Sequence, residues 1–219
     1  MKRVCDVLIA AIILLISAPV LVCAMAAARV TLGAPVLFRQ QRPGLNAQPF
    51  FVYKLRTMNN AVGGDGALLP DSQRLTTLGR LLRKTSIDEL PQLFNVLRGD
   101  MSLVGPRPLL MHYLPLYSVE QARRHEVRPG ITGWAQIHGR NAIEWADRLA
   151  LDVWYVDHHS FRLDCYILWQ TIWRVVAMRG VSSANHATMA EFRGEQLPMT
   201  LTKSLDSHPT LNSHPTKPS

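Results

Sequence analysis

The sequence predicts a predominantly helical α+β fold, and three observations carry the prediction. Apolar residues recur at helical spacing in several stretches after residue 73. Only residues 35–56 read as a pair of strands around a Pro-Gly turn. The chain opens on an apolar run long enough to reach across a bilayer. With 219 residues there is room for one domain of ordinary size and an appended segment. A formal charge of +8 calls for an anionic partner: nucleic acid, lipid headgroups or a phosphorylated substrate. Cys5, Cys23 and Cys165 are scattered without metal-ligand spacing, which excludes a disulfide framework and a zinc site and suits a reducing compartment.

From Val7 to Ala28 only Ser17 and Pro19 interrupt the apolar run. Three readings compete. A cleaved signal peptide fits poorly, because the run is longer than an h-region and Asp6 spoils its basic end. A single span is the default for such a run, yet Lys2 and Arg3 precede it and Arg29, Arg39 and Arg42 follow it, so the positive-inside rule wants both ends in the cytoplasm. Pro19 removes a helix hydrogen bond near the middle, and each half, at roughly 16 Å, reaches about half the hydrocarbon thickness. A re-entrant hairpin therefore stands beside the span, and the residues alone leave both open.

Residues 35–46 and 50–56 read as strands of a β-hairpin whose turn carries Arg42 and whose return strand carries Lys54 and Arg56. Residues 59–72, rich in glycine, read as a mobile loop without the Lys-Ser/Thr ending of a P-loop. Residues 73–84 form a basic amphipathic helix with Leu75, Leu78, Leu81 and Leu82 on one side, a pattern shared by interfacial and core-facing helices.

The chain then reaches Ser86-Ile87-Asp88-Glu89-Leu90-Pro91. Leu90, Leu93, Phe94 and Leu97 keep helical spacing and Arg98-Gly99 is a C-terminal stop, so Asp88 and Glu89 sit at a helix N-terminus. Either Ser86 is the cap, with Glu89 closing a capping box, or Asp88 is; Pro91 favours the later start. Gly105-Pro106-Arg107-Pro108 follows, a stiff turn that fixes an arginine suited to holding an anion.

A helix is expected over residues 119–126, after Ser118. Residues 127–141 form a turn-rich stretch with the character of a ligand-binding edge, carrying Arg128 and Arg140. Trp134 suits packing and base stacking equally. Further helices are expected over 144–157 and 162–178, the second with Trp169 and Trp173 four apart, a spacing that fits a core ridge or a membrane interface. After Gly194 the composition becomes that of a disordered tail. His158 and His159 read as a helix end, not a metal site.

Taken together, the N-terminal apolar segment with its proline, Arg42-Pro43-Gly44-Leu45, Tyr53-Lys54-Leu55-Arg56-Thr57-Met58, the run from Asp88 to Ser102, Val104-Gly105-Pro106-Arg107-Pro108 and Arg128-Pro129-Gly130-Ile131-Thr132-Gly133-Trp134 resemble the bacterial sugar transferase family. These are small monotopic phosphoglycosyl transferases, and the resemblance covers about residues 1–195. It implies a re-entrant membrane helix kinked at Pro19 over residues 1–33, a cytoplasmic catalytic domain over 34–195 with amphipathic interfacial helices around the active site, and a tail over 196–219. One departure stands out. The family usually has Ser-Pro at the helix break, whereas here Ala18 precedes Pro19 and the serine is Ser17.

The resemblance further implies transfer of a sugar 1-phosphate from a UDP-sugar to undecaprenyl phosphate, with UMP released, at the cytoplasmic face of the bacterial inner membrane. Its motifs look most like those of transferases acting on UDP-N,N'-diacetylbacillosamine and related N-acetylated amino sugars. By position Asp88 becomes the nucleophile and Glu89 its partner, both also ligands for a required Mg2+. Arg107 becomes a phosphate binder, with Lys54, Arg140 and Arg128 as further substrate-binding residues. Partners are thus the UDP-sugar, undecaprenyl phosphate and membrane lipids; oligomeric state is left open, a homo-oligomer included. The chemistry is coherent by itself. A carboxylate is ionised at neutral pH and needs no base, but it needs cations to approach a diphosphate. A membrane-tethered nucleic-acid-binding protein would instead show a basic recognition helix or an aromatic-basic surface rather than an acidic pair among prolines, so no nucleic acid partner is expected. An ordinary glycosyltransferase would release UDP where a phosphoglycosyl transferase releases UMP.

Overall fold

The computed structural model describes residues 1–138, 144–176 and 191–194. Helix α1, Lys2–Leu32, runs through Pro19 and stops at Gly33, whose φ of 71° is the left-handed conformation glycine accepts. Asp6, Ala10, Leu21, Ala24 and Ala28 are its buried positions, close to one stripe of the helix, while Leu8, Ile12, Leu15, Ile16 and Val22 stay exposed. Both ends of α1 are bound to the same domain. Near its start, Lys2 Nζ donates to the carbonyl of Val104 at 3.2 Å and pairs with Asp164, Arg3 Nη2 donates to the Leu97 carbonyl at 3.0 Å, and Ser102 donates to Asp6 at 2.7 Å. In its second half, Leu21 and Ala24 pack in one cluster with Leu55 and Leu82, and Arg56 Nη1 donates to the Ala34 carbonyl at 3.2 Å.

Strands β1, Leu37–Pro43, and β2, Pro49–Leu55, form the expected antiparallel hairpin, in register from Leu37 opposite Leu55 to Pro43 opposite Pro49. Its connection is wider than a two-residue Pro-Gly turn: a 3₁₀ turn, Leu45–Ala47, fills it, with Asn46 and Ala47 at positive φ. The glycine-rich loop is closed at its ends by a bridge between Met58 and Leu75, carries a second bridge inside it between Val62 and Leu68, and leads into a single helical turn, α2, Asp71–Arg74.

Helix α3, Thr77–Lys84, starts four residues later than its leucine pattern predicts, because the Thr76 side chain caps it by accepting from Gly79 N at 3.0 Å. Gly79 is required by contact: a Cβ there would lie 2.0 Å from the Thr57 carbonyl oxygen. Helix α4, Gln92–Arg98, ends at Gly99 with φ 98° as its sequence predicts.

A second, parallel two-stranded sheet was not legible in the sequence. It pairs β3, Ser102–Val104, with β4, Gly130–Thr132, and brings the Gly-Pro-Arg-Pro turn against Arg128-Pro129-Gly130. Gly105 and Gly130 allow the approach; a Cβ on Gly130 would lie 2.1 Å from Gly105 N. Between the strands lie a 3₁₀ segment, Met111–Leu116, then α5, Val119–Ala122, started by a capping box of Ser118 and Gln121, and a 3₁₀ turn, Arg123–His125. This takes the place of the single helix expected over 119–126. Helices α6, Trp134–His138, α7, Trp145–His158, and α8, Phe161–Val176, complete the fold. The main core gathers Ala10, Val52, Leu93, Val96, Met101, Leu103, Tyr155 and Ile167, so α1, the hairpin, α4, β3, α7 and α8 share one interior. The tail expected over 196–219 lies outside the described residues.

Candidate active site

The acidic pair sits on a 3₁₀ turn, Ile87–Glu89, between α3 and α4. Neither cap expected of Ser86 or Asp88 is formed. Ser86 adopts a left-handed conformation, φ 58°, and its hydroxyl caps nothing, while α4 starts only after Pro91, later than either expected start. The left-handed residue turns the chain sharply just before the pair, and Glu89 meets two cations.

Those cations come from distant parts of the chain. Lys54, near the end of β2, places Nζ 2.7 Å from Glu89 Oε1. Arg107, in the turn after β3, places Nη1 3.3 Å from Glu89 Oε2 and Nη2 in contact with Oε1. This is the bidentate fork that guanidinium geometry favours. Burial alone would raise the Glu89 carboxyl, but Arg107 and Lys54 outweigh it and hold the group well below the usual carboxylate range. Burial and the Arg107 charge push Lys54 below its ordinary value, while Glu89 draws it back up.

Asp88 is in a different setting. It is 7% exposed, and its carboxylate accepts no hydrogen bond among the described residues. Burial and the neighbouring Glu89 charge push it up to about 6, opposed by Lys54, Arg83 and Arg107. Arg83, on α3, was not singled out in the sequence. Its Nε donates to Thr57 Oγ1 at 3.1 Å, and its charge acts on Asp88.

Two further arginines extend the positive region beside Arg107. Arg42, in the hairpin, is pushed down to about 10 by burial and by the Arg107 charge. Arg148, on α7, is pushed down to about 10 by burial, with Asp152 opposing and Arg107 adding to the fall. Arg42 was visible in the sequence as a turn cation within Arg-Pro-Gly-Leu. Arg148 carried no signal, being one charge on an amphipathic helix.

Arg128 is held elsewhere. Its Nε donates to the Gly99 carbonyl at 3.0 Å, at the C-terminal end of α4, while Asp88 and Glu89 precede that helix. Arg140 lies outside the described residues. Pro19 lies within α1. Arg56 serves the exit from α1 and does not join the site.

No group of three His, Cys, Asp or Glu side chains that could hold a metal ion occurs among the described residues. Magnesium does not need one, since it is commonly held by one or two carboxylates together with substrate phosphates. Asp88, without a donor, and Glu89 Oε2, with only a 3.3 Å contact, are the oxygens left for a cation, so the donor set fits that mode. A buried carboxylate, a second carboxylate anchored by two cations and a surrounding excess of guanidinium charge together suit a phosphorylated substrate.

The comparisons with known proteins agree with this chemistry. The sequence model of the family described as bacterial sugar transferase matches residues 1–178. The chain is 55% identical over 194 residues to a Bacillus subtilis protein named uncharacterized sugar transferase EpsL, covering 89% of this chain and 96% of the relative. It is 44% identical over 183 residues to the UDP-glucose:undecaprenyl-phosphate glucose-1-phosphate transferase of Caulobacter vibrioides, covering 78% of this chain and 68% of that protein. It is 38% identical over 198 residues to the exopolysaccharide production protein ExoY of Sinorhizobium fredii, covering 82% and 87%. With a family match over most of its length and relatives this similar across most of theirs, the chain belongs to the bacterial sugar transferase family.

Proposed function

We propose that the protein is a polyprenyl-phosphate phosphoglycosyl transferase that moves a sugar 1-phosphate from a UDP-sugar to undecaprenyl phosphate and releases UMP. The observation that carries this reading is the contrast between two adjacent carboxylates. Glu89 is neutralised by Lys54 and Arg107, and Asp88 is buried and accepts no hydrogen bond among the described residues.

An Asp88 carboxylate oxygen attacks the phosphorus that bears the sugar. The new O–P bond forms as the bond to the bridging oxygen breaks, and that oxygen leaves with UMP. A phosphate oxygen of undecaprenyl phosphate then attacks the same phosphorus and frees the Asp88 carboxylate. Two displacements let a soluble donor leave before a lipid acceptor enters, which gives ping-pong kinetics. A raised pKa makes Asp88 a better nucleophile than an ordinary carboxylate while leaving it mostly ionised at neutral pH. Glu89, held far below the usual range, is a poor proton acceptor; its part is to aim Lys54 and Arg107 at the phosphates. Magnesium held by Asp88 and Glu89 would supply further charge neutralisation at the diphosphate.

The motif resemblance supports an N-acetylated amino sugar such as N,N'-diacetylbacillosamine as the sugar moved. The relatives' names support a second reading, glucose, since the Caulobacter and Escherichia coli proteins are named for UDP-glucose. The product would begin the assembly of a membrane-linked glycan.

Attachment of both ends of α1 to one domain supports a re-entrant helix at the cytoplasmic face of the bacterial inner membrane. A helix of 31 residues is about 46 Å long, and a domain on one side of a bilayer cannot hold both ends of a helix that crosses it.

The deciding experiment incubates purified protein with undecaprenyl phosphate and a panel of UDP-sugars and identifies the nucleotide released. UMP is expected with at least one donor. UDP, or no nucleotide with any donor, would contradict the reading.

A further inference from the structure

A buried ion pair stands directly behind Arg107. Arg124, in the 3₁₀ turn after α5, donates from Nε and Nη2 to Asp152 Oδ2 of α7 at 3.1 and 2.7 Å. The two side chains are 1% and 2% exposed. Taking two charges out of water costs several kcal/mol per ion, and apolar residues of similar volume often serve stability as well or better. Holding α5 and α7 together is therefore a weak account of the pair.

The remaining contact gives a stronger one. Arg124 Nη2 also donates to the main-chain carbonyl of Arg107 at 2.7 Å. Arg107 lies between two prolines, so its φ/ψ freedom is narrow and the next residue offers no N–H. The preceding carbonyl, that of Pro106, is taken by Gly130 N at 3.0 Å, and Gly105 N donates to the Thr132 carbonyl at 2.9 Å. The turn is thus tied to β4 on one side and to Arg124 on the other. Two charge-assisted bonds donated to Asp152 fix the Arg124 guanidinium, which lies 5.7 Å from the centre of the Tyr117 ring. Both anchors act on the main chain that carries the Arg107 side chain to Glu89.

We propose that Arg124, oriented by Asp152, is a positioning residue of the transferase: it fixes the Arg107 main chain so that the guanidinium forks onto both oxygens of Glu89. Neither residue is placed on substrate; the positioning acts through Arg107, while the Asp152 charge also acts on Arg148. The inference rests on the transferase reading for its readout, and wild-type UMP release is recorded first so that the two can be told apart.

The test is a cycle on the full-length protein in lipid nanodiscs. The paired substitution Arg124→Met with Asp152→Leu removes the charges and keeps the volume, so the thermal midpoint is expected to stay within a few degrees of wild type. UMP turnover is expected to fall about 10–100-fold, the scale of a small misplacement of a catalytic group. In an Arg107→Ala background the same pair should change the residual turnover less than about threefold, because the group it positions is gone. Asp152→Asn, which keeps the shape and one acceptor, is carried through the same cycle and serves if the apolar pair does not fold. Equal losses in both backgrounds, or no loss with Arg107 present, would overturn the positioning role. Absence of UMP release from the wild type would instead count against the transferase reading.

Discussion

Arg107 grips both oxygens of Glu89, while its sequence neighbour Asp88 accepts no hydrogen bond among the described residues. The two carboxylates are adjacent in the chain but are driven in opposite directions, Glu89 down by its two cations and Asp88 up to about 6 by burial and the Glu89 charge. Environments that separate like groups in this way assign them different work. Glu89 is a fixed counter-charge held by two cations, and the proposed function gives Asp88 the part of nucleophile.

The fork predicts that Arg107→Lys is not conservative. A lysine keeps the charge but cannot reach both Glu89 oxygens from one planar group. UMP release should fall about 100-fold in kcat/KM, with the thermal midpoint little changed. Near wild-type turnover in this variant would show that charge alone suffices.

The state of Asp88 predicts a pH dependence. The reacting form is the carboxylate, so kcat/KM should be flat above pH 7 and fall as the pH drops through about 6, where Asp88 takes up a proton. Arg83 lowers the Asp88 pKa, so Arg83→Met should move this acid limb to higher pH. A pH–rate profile of both proteins checks the sign, and a limb that moves to lower pH would contradict the assignment.

Docking of both ends of α1 on one domain predicts a one-sided topology. In a cysteine-free background, a cysteine inserted directly after Met1 and, in a separate variant, a cysteine at Ala34 should both react with an impermeant maleimide from the same face of sealed inner-membrane vesicles. Labelling from opposite faces would establish a span.

Much of this was legible in the sequence, and the exceptions have physical causes. Helices α7 and α8 and the hairpin follow from periodicity because each has one buried face. The start of α3 was misplaced because Thr76 caps the helix inside a leucine pattern that continues back to Leu75. The capping box expected of Ser86 and Glu89 is absent because Glu89 is drawn to Lys54 and Arg107, which lie 35 and 18 residues away in sequence. Strands β3 and β4 have three residues each, too short to show an alternation, and their pairing depends on glycines that look like turn formers. Arg124 and Asp152 gave no signal, since a buried pair between two helical segments reads locally as two surface charges.

The central claim is that Asp88 takes up the phosphosugar covalently, and intact-protein mass spectrometry tests it most directly. Wild-type protein incubated with a competent UDP-sugar in the absence of undecaprenyl phosphate should gain the mass of one sugar phosphate, mapped to Asp88 by peptide fragmentation and discharged when the lipid acceptor is added. Asp88→Asn should show neither adduct nor turnover. An adduct of the same mass on Asp88→Asn, or turnover by that variant at a rate near wild type, would contradict the account.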